Sequence, residues 1–227
     1  MKKQILLTVC AVAVACTTHS YAHESTNTDE SNGFGFDVGY RSISLKKTTY
    51  SHDTHPDDWF LPNANVPGSA GSTSLDGKDL SYLSLGISCE SEIYSPFYFN
   101  IGAGGLLGGG TRDDHQNAND PRPAVNAAFV YSKASTYGFY GDIGLSYKKK
   151  GFSVGIEGSI TGIAIESGWD RYNTDQVAEK KWFISPVIGP TIGYQFTDWL
   201  QAKSALQFGE HSRQFFIELC IGAPTGN

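Results

Sequence analysis

Cysteine, methionine and charge are all scarce in this chain of 227 residues. Four Cys are too few to staple a domain of this size, which excludes a disulfide scaffold. Charged residues make up only 18% of the sequence, and 17 Lys and Arg stand against 23 Asp and Glu, a formal charge of −6. An acidic chain with no basic tract is a poor partner for nucleic acid, and none is expected. No stretch has the spacing of a useful amphipathic helix. Apolar residues run on without a break only near the N-terminus. What is plentiful is glycine, with 26 residues, and aromatic side chains, at 13%. That composition is too aromatic for disorder, and the length suits one all-β domain or two small ones.

The N-terminus reads as an export signal. Lys2 and Lys3 precede the apolar run from Ile5 to Ala15, and Ser20-Tyr21-Ala22 places small residues at −3 and −1 of a cut before His23. The run is too short and wrongly flanked for a spanning helix. A lipoprotein-like box ending at Cys16 and a buried N-terminal helix are the competing readings. Residues 1–22 are therefore expected as a signal peptide and 23–33 as a loose polar arm. Residues 34–222 are expected as the folded body and 223–227 as a short tail. Loss of Lys2 and Lys3 takes the formal charge from −6 to −8.

Beyond the arm, apolar and small polar residues alternate with a period of two. Phe34, Phe36, Val38 and Tyr40 share one face; Asp37 and Arg41 share the other. Leu83, Leu85 and Ile87 repeat the pattern, as do Phe97, Phe99 and Ile101. Phe139, Ile143, Leu145 and Tyr147 follow, then Phe152, Val154, Ile156 and Ile160. Ile184, Ile188, Ile192, Tyr194 and Phe196 make a sixth run, in which Pro186 and Pro190 are unwelcome in a paired strand. Leu200, Ala202, Leu206 and Phe208 make the seventh; Phe215, Ile217, Leu219 and Ile221 the eighth. A globular strand averages about 5–6 residues and a tilted membrane strand needs about 9–11, so runs this long favour a membrane. The joins alternate as well. Long polar connections span 46–78, 108–136 and 166–181, with a shorter one at 209–213. Tight joins fall at 91–96, 148–151 and 197–198. Residues 125–131 have room for a further short strand. This describes an eight-stranded antiparallel up-and-down transmembrane barrel with long extracellular loops and short periplasmic turns.

Alternation does not say which face is wet, but side-chain size does. The polar face is mostly Gly, Ser, Asn and Thr, which suits the cramped lumen of eight strands; a water-facing surface would carry many Lys and Glu. The apolar face suits lipid, and closure satisfies every backbone polar group. Trp199, Phe196, Trp182 and Tyr147 near strand ends match interfacial girdles, although aromatics are good strand formers anywhere. A soluble periplasmic ligand-binding barrel is the alternative.

The signal segment, the alternating runs and the stretch Ile192-Gly193-Tyr194-Gln195-Phe196-Thr197-Asp198-Trp199-Leu200 resemble the eight-stranded outer-membrane barrels of the OmpA-like and OmpX-like group. The resemblance covers about residues 33–222. It implies residence in the outer membrane of a Gram-negative cell. The ending Ala223-Pro224-Thr225-Gly226-Asn227 departs from the group, which often finishes on an aromatic residue.

Chemistry-bearing residues are sparse. Asp37, Arg41, Glu90, Asp142, Glu157, Lys203 and Glu218 fall on the lumen face, where burial demands ion pairs. They are expected as a structural polar network; a narrow gated conduit is the functional alternative, and the lumen is too tight for a general porin. His52, Asp53, His55, Asp57 and Asp58 occupy the first long connection, and Asp113, Asp114, His115 and Asp120 the second. These residue types can hold a metal or move protons, but neither spacing is specific. His211-Ser212 raises a hydrolase acting on lipid A or peptide. Residues 102–110 are Gly-rich but lack the Lys-Ser/Thr ending of a phosphate loop, so tight packing or a bend is expected. Cys89 and Cys220 have opposite parity on strands that are not neighbours, so no disulfide is expected. No cofactor is expected. The partners expected are outer-membrane lipid and, through the loops, cations, surface polysaccharide or another protein.

Overall fold

The computed structural model describes residues 33–46, 49–52, 71–116, 129–171 and 174–222. Residues 1–32, 47–48, 53–70, 117–128, 172–173 and 223–227 lie outside them, and with them the expected signal peptide, nearly all of the expected arm and the expected tail. Among the described residues, eleven strands follow in chain order. They are β1 Gly33–Leu45, β2 Thr49–His52, β3 Gly71–Ser74, β4 Asp79–Tyr94, β5 Phe97–Gly108, β6 Arg112–Gln116, β7 Phe129–Lys149, β8 Phe152–Arg171, β9 Thr174–Thr197, β10 Leu200–Phe208 and β11 Ser212–Gly222.

Eight of these close a barrel. The order is β5-β4-β1-β11-β10-β9-β8-β7, every pairing is antiparallel, and β5 returns to pair with β7. Closure leaves no free edge along the barrel wall, so the backbone groups there are paired within the protein. β6 continues β5 along β7 after a bend at Gly108, Gly109 and Gly110, whose φ angles of 106°, 67° and 61° only glycine adopts readily. The Gly-rich stretch is thus a bend. β2 and β3 form a separate hairpin inside the first long connection.

The alternation sets the faces as expected. Phe36, Ile143, Ile156, Ile160, Ile188, Ile192 and Phe196 are more than half exposed on the outside of the barrel, while Arg41, Ser84, Glu157, Gln207 and Phe216 are fully buried inside it. Pro186 and Pro190 stay within β9. They point outward opposite Ile160 and Ile156 of β8, and on the β10 side the ladder skips from Thr191 to Ile188.

Strand lengths differ from expectation at one end. β7, β8 and β9 run to 21, 20 and 24 residues. Residues 166–181, expected as a long loop, are instead the continuation of the β8–β9 hairpin up to Arg171 and from Thr174. β6, β7, β8 and β9 therefore project as a sheet beyond the barrel. The described pairing of β9 with β10 stops at Ile188, so the upper part of β9 is a sheet edge. Lys180 donates to Glu166 across this projection at 2.5 Å, a bond that favours the charged amine and raises its pKa. The opposite end is compact, with turns between Tyr94 and Phe97, Lys149 and Phe152, and Thr197 and Leu200.

Candidate functional site: the lumen and its two ends

The seven predicted lumen residues divide into a central network and a pair nearer the turn end. β1 places Asp37 and Arg41 two pleat repeats apart on the inner face, and their partners come from the neighbouring β4 and β11 and from β7 across the lumen. Arg41 grips Asp142 of β7 with both terminal nitrogens, at 3.1 and 2.7 Å, and donates to Glu218 of β11 at 2.7 Å. Its guanidinium lies between the rings of Tyr140 and Phe216, at 4.0 and 4.5 Å from their centroids. A forked, delocalised cation suits a two-carboxylate, two-ring site far better than an ammonium would. Ser159 donates to Asp142 at 2.5 Å and Ser84 to Glu218 at 3.2 Å.

Lys203 of β10 extends the network toward the turn end. It donates to Glu157 of β8 at 2.9 Å and lies 3.8 Å from Glu218. Asn100 of β5 donates to the same Glu157 oxygen at 2.9 Å, and Ser88 of β4 donates to Asp37 at 2.9 Å. Two cations thus pair with three buried carboxylates, Asp142, Glu157 and Glu218, while Asp37 is held by Ser88, and the network crosses the lumen from wall to wall. Lys148 pairs with Glu90 further down and stands 4.9 Å from the ring centre of Tyr98.

The loop end of the lumen is mostly aliphatic, against the expectation of a hydrophilic axis throughout, with the buried polar pairs Thr161–Gln214 and Ser185–Ser212 beside it. Ile43, Leu45, Leu75, Leu80, Tyr82, Leu106, Ala134, Ile163 and Ile165 form one buried apolar cluster there, with Phe183 packed against it and Tyr140 at its junction with Arg41. Leu75 follows the β2–β3 hairpin, so the first long connection contributes to the plug. The sequence carries a signal for this. Apolar residues on β1 sit at even positions through Tyr40 and at odd positions at Ile43 and Leu45, while the strand continues without a break. Beyond that switch the inner face is the one that carries the aliphatics.

At the turn end the lumen opens into a vestibule of about 150 Å³ lined by Ser88, Glu90, Tyr98, Asn100, Gln201 and Cys220 among others. A second pocket of about 200 Å³ continues it over the rim. Cys220 faces in beside Asp37, Cys89 lies opposite Phe34, and the two are not joined in a disulfide.

The loop candidates fare differently. His55, Asp57 and Asp58 lie outside the described residues. Strand register sets His52 opposite Gly71, Asp114 opposite Tyr131 and His115 opposite Val130. Asp113 pairs with Lys78 at 3.4 Å. Among the described residues, no three of His, Cys, Asp and Glu gather as a metal site. Ser212 is fully buried and shares a hydrogen bond of 2.7 Å with Ser185, whereas His211 stands against the ring of Phe183. These two neighbours are engaged separately, which removes the geometric basis for a His211–Ser212 nucleophile pair.

No protein-family model matches the chain, and no curated protein matches it in sequence. Solved structures do. The attachment invasion locus protein Ail of Yersinia pestis, in complex with the heparin analogue sucrose octasulfate, matches at 9% identity and a TM-score of 0.41. The match covers 84% of this chain and 97% of that one. Ail without that description of a ligand matches at 8% and 0.40. Neisserial surface protein A matches at 9% and 0.37, over 86% of this chain and 97% of that one. At these values nothing about binding or activity passes from those proteins to this one. The strand count, the closure and the up-and-down order are nonetheless those of the eight-stranded barrel group that the sequence resembles.

Proposed function

We propose that this chain is an integral outer-membrane barrel with a closed lumen, serving as an anchor that displays its projecting sheet and loops for surface interaction. The observation that carries the reading is the inversion of the molecule. Phe36 at 60%, Ile156 at 60%, Ile188 at 61% and Ile192 at 62% exposure ring the outside, while Arg41 and Glu157 are at 0% inside. A water-soluble barrel places its aliphatics at the centre, and a continuous apolar belt of this extent is stable only against lipid. Rings at the turn end fit the same picture: exposed Phe97 with half-buried Tyr147 at 5.6 Å, Phe152 with Tyr194 at 4.7 Å, Tyr194 with Phe196 at 5.1 Å, and Trp199 at the last turn. Short turns at that end face the periplasm and the projecting sheet faces outward. The central network and the apolar plug lie in series along the axis, which favours anchoring over conduction.

Fractionation followed by electrophoresis with and without boiling tests this. The protein is expected in the outer-membrane fraction, migrating faster unboiled than boiled. Recovery as a detergent-free soluble protein with one mobility would overturn the assignment.

A further inference from the structure

The tight turn between β7 and β8 carries Lys148, Lys149 and Lys150 in succession, followed by Gly151. Lys150 and Gly151 both have positive φ, 51° and 83°. That is the backbone of a two-residue hairpin of the mirror-image type, whose first position favours Asn, Asp or Gly. Lysine there is strained relative to those residues, so its presence needs a reason beyond chain reversal. Lys148 points inward and is engaged by Glu90 and Tyr98. Lys149 and Lys150 are exposed. The pocket over the rim is lined by all three lysines together with Tyr98, Gly151, Ser153, Gln195 and Gln201, and no carboxylate lines it. Elsewhere in the lumen carboxylates outnumber cations; here Glu90 matches Lys148 and Glu92 accepts from Tyr98, which leaves Lys149 and Lys150 as the excess positive charge at the rim. On the outer face beside the same turn stand the exposed rings of Phe152, Tyr194 and Phe196 and the half-buried ring of Tyr147, at the level where a membrane's headgroups begin.

We propose that this rim pocket binds the phosphate headgroup of an anionic phospholipid in the leaflet facing the turns. The inference rests on the membrane reading above. Lys149 and Lys150 supply two ammonium groups to the phosphate, as point charges suited to it. Ser153, Gln195 and Gln201 offer hydroxyl and amide groups to a glycerol headgroup, and the acyl chains lie along the ring cluster. Free phosphate shares the anionic chemistry but lacks the chains.

The test uses the full-length mature barrel folded in zwitterionic detergent, with energy transfer from tryptophan to dansyl-labelled lipid. Dansyl phosphatidylglycerol is expected to bind more tightly than dansyl phosphatidylcholine, with inorganic phosphate at 10 mM, about a buffer concentration, displacing little of it. The variant Lys149→Gln/Lys150→Asn is expected to bind phosphatidylglycerol roughly 25-fold more weakly, at about 5-fold per lysine. Asn is a favoured residue at this turn position, so the variant keeps the hairpin, and its heat-modifiable migration reports the fold separately. Equal binding of the two lipids, unchanged binding by the folded variant, or complete displacement by inorganic phosphate would each overturn the lipid assignment while leaving the barrel intact.

Discussion

Arg41 is the residue on which the interior turns. Its charge is met by two carboxylates on strands 101 and 177 positions away in sequence, and its faces are covered by Tyr140 and Phe216. Replacing it with Met leaves Asp142 buried without its paired cation and Glu218 with only Lys203 at 3.8 Å, and removing one partner of a buried pair costs about 3–5 kcal/mol. Urea unfolding of the barrel in lipid vesicles is expected to show a loss of that size, with Lys at this position recovering only part. Tyr140 in turn needs a floor. A Cβ on Gly104 would come within 2.7 Å of both the Tyr140 ring and the Gly86 backbone. Gly104→Ala is therefore expected to cost about 1–3 kcal/mol, as over-packing does, in the same assay. The inward direction of Asp37, Arg41, Asp142, Glu157, Lys203 and Glu218 was legible from period-two parity alone. Which carboxylate meets which cation was not, because parity fixes a face while the partner depends on the shear of the closed barrel.

Strands in this protein change character along their length. Leu83 and Leu85 of β4 point out toward the hydrocarbon, yet Leu80 and Tyr82 of the same strand are buried inside. Ile156 and Ile160 of β8 are outward, whereas Ile163 and Ile165 are inward. A reading that looks for one apolar face per strand stops where the parity switches, which is why the expected strands ended short and residues 166–181 looked like a loop. On the proposed membrane reading, the switch marks the height at which lipid gives way to water on the exterior. The lipid-facing stretch is testable. Ile156 lies midway along it, flanked by Leu145 on β7 and Pro190 on β9. Ile156→Lys is expected to destabilise the folded barrel by about 2–4 kcal/mol in vesicles, the penalty of a lysine at the bilayer midplane. A change near zero there would mean that this face meets water.

For the whole molecule, the order of layers along the axis decides what can pass. From the turns inward come a polar vestibule, the Lys203–Glu157–Glu218–Arg41–Asp142 layer, and then the plug of Ile43, Leu45, Leu80, Leu106, Ile163 and Ile165. The two barriers act by different physics: the first ties up the lumen with charge pairs, the second fills it with aliphatic side chains whose few polar neighbours, Thr161 with Gln214 and Ser185 with Ser212, are already paired with each other. Both must fail for an ion to cross. In a planar bilayer the native protein is expected to give no current above leak. Arg41→Ala/Lys203→Ala is expected to remain silent, since the aliphatic plug is untouched by it. Adding Leu45→Ser and Leu106→Ser to that variant wets the second barrier, and conductance is expected to appear only then, provided heat-modifiable migration shows the barrel still closed. Current through the Arg41→Ala/Lys203→Ala variant alone would make the charged layer the sole gate and would return the lumen to the conduit reading.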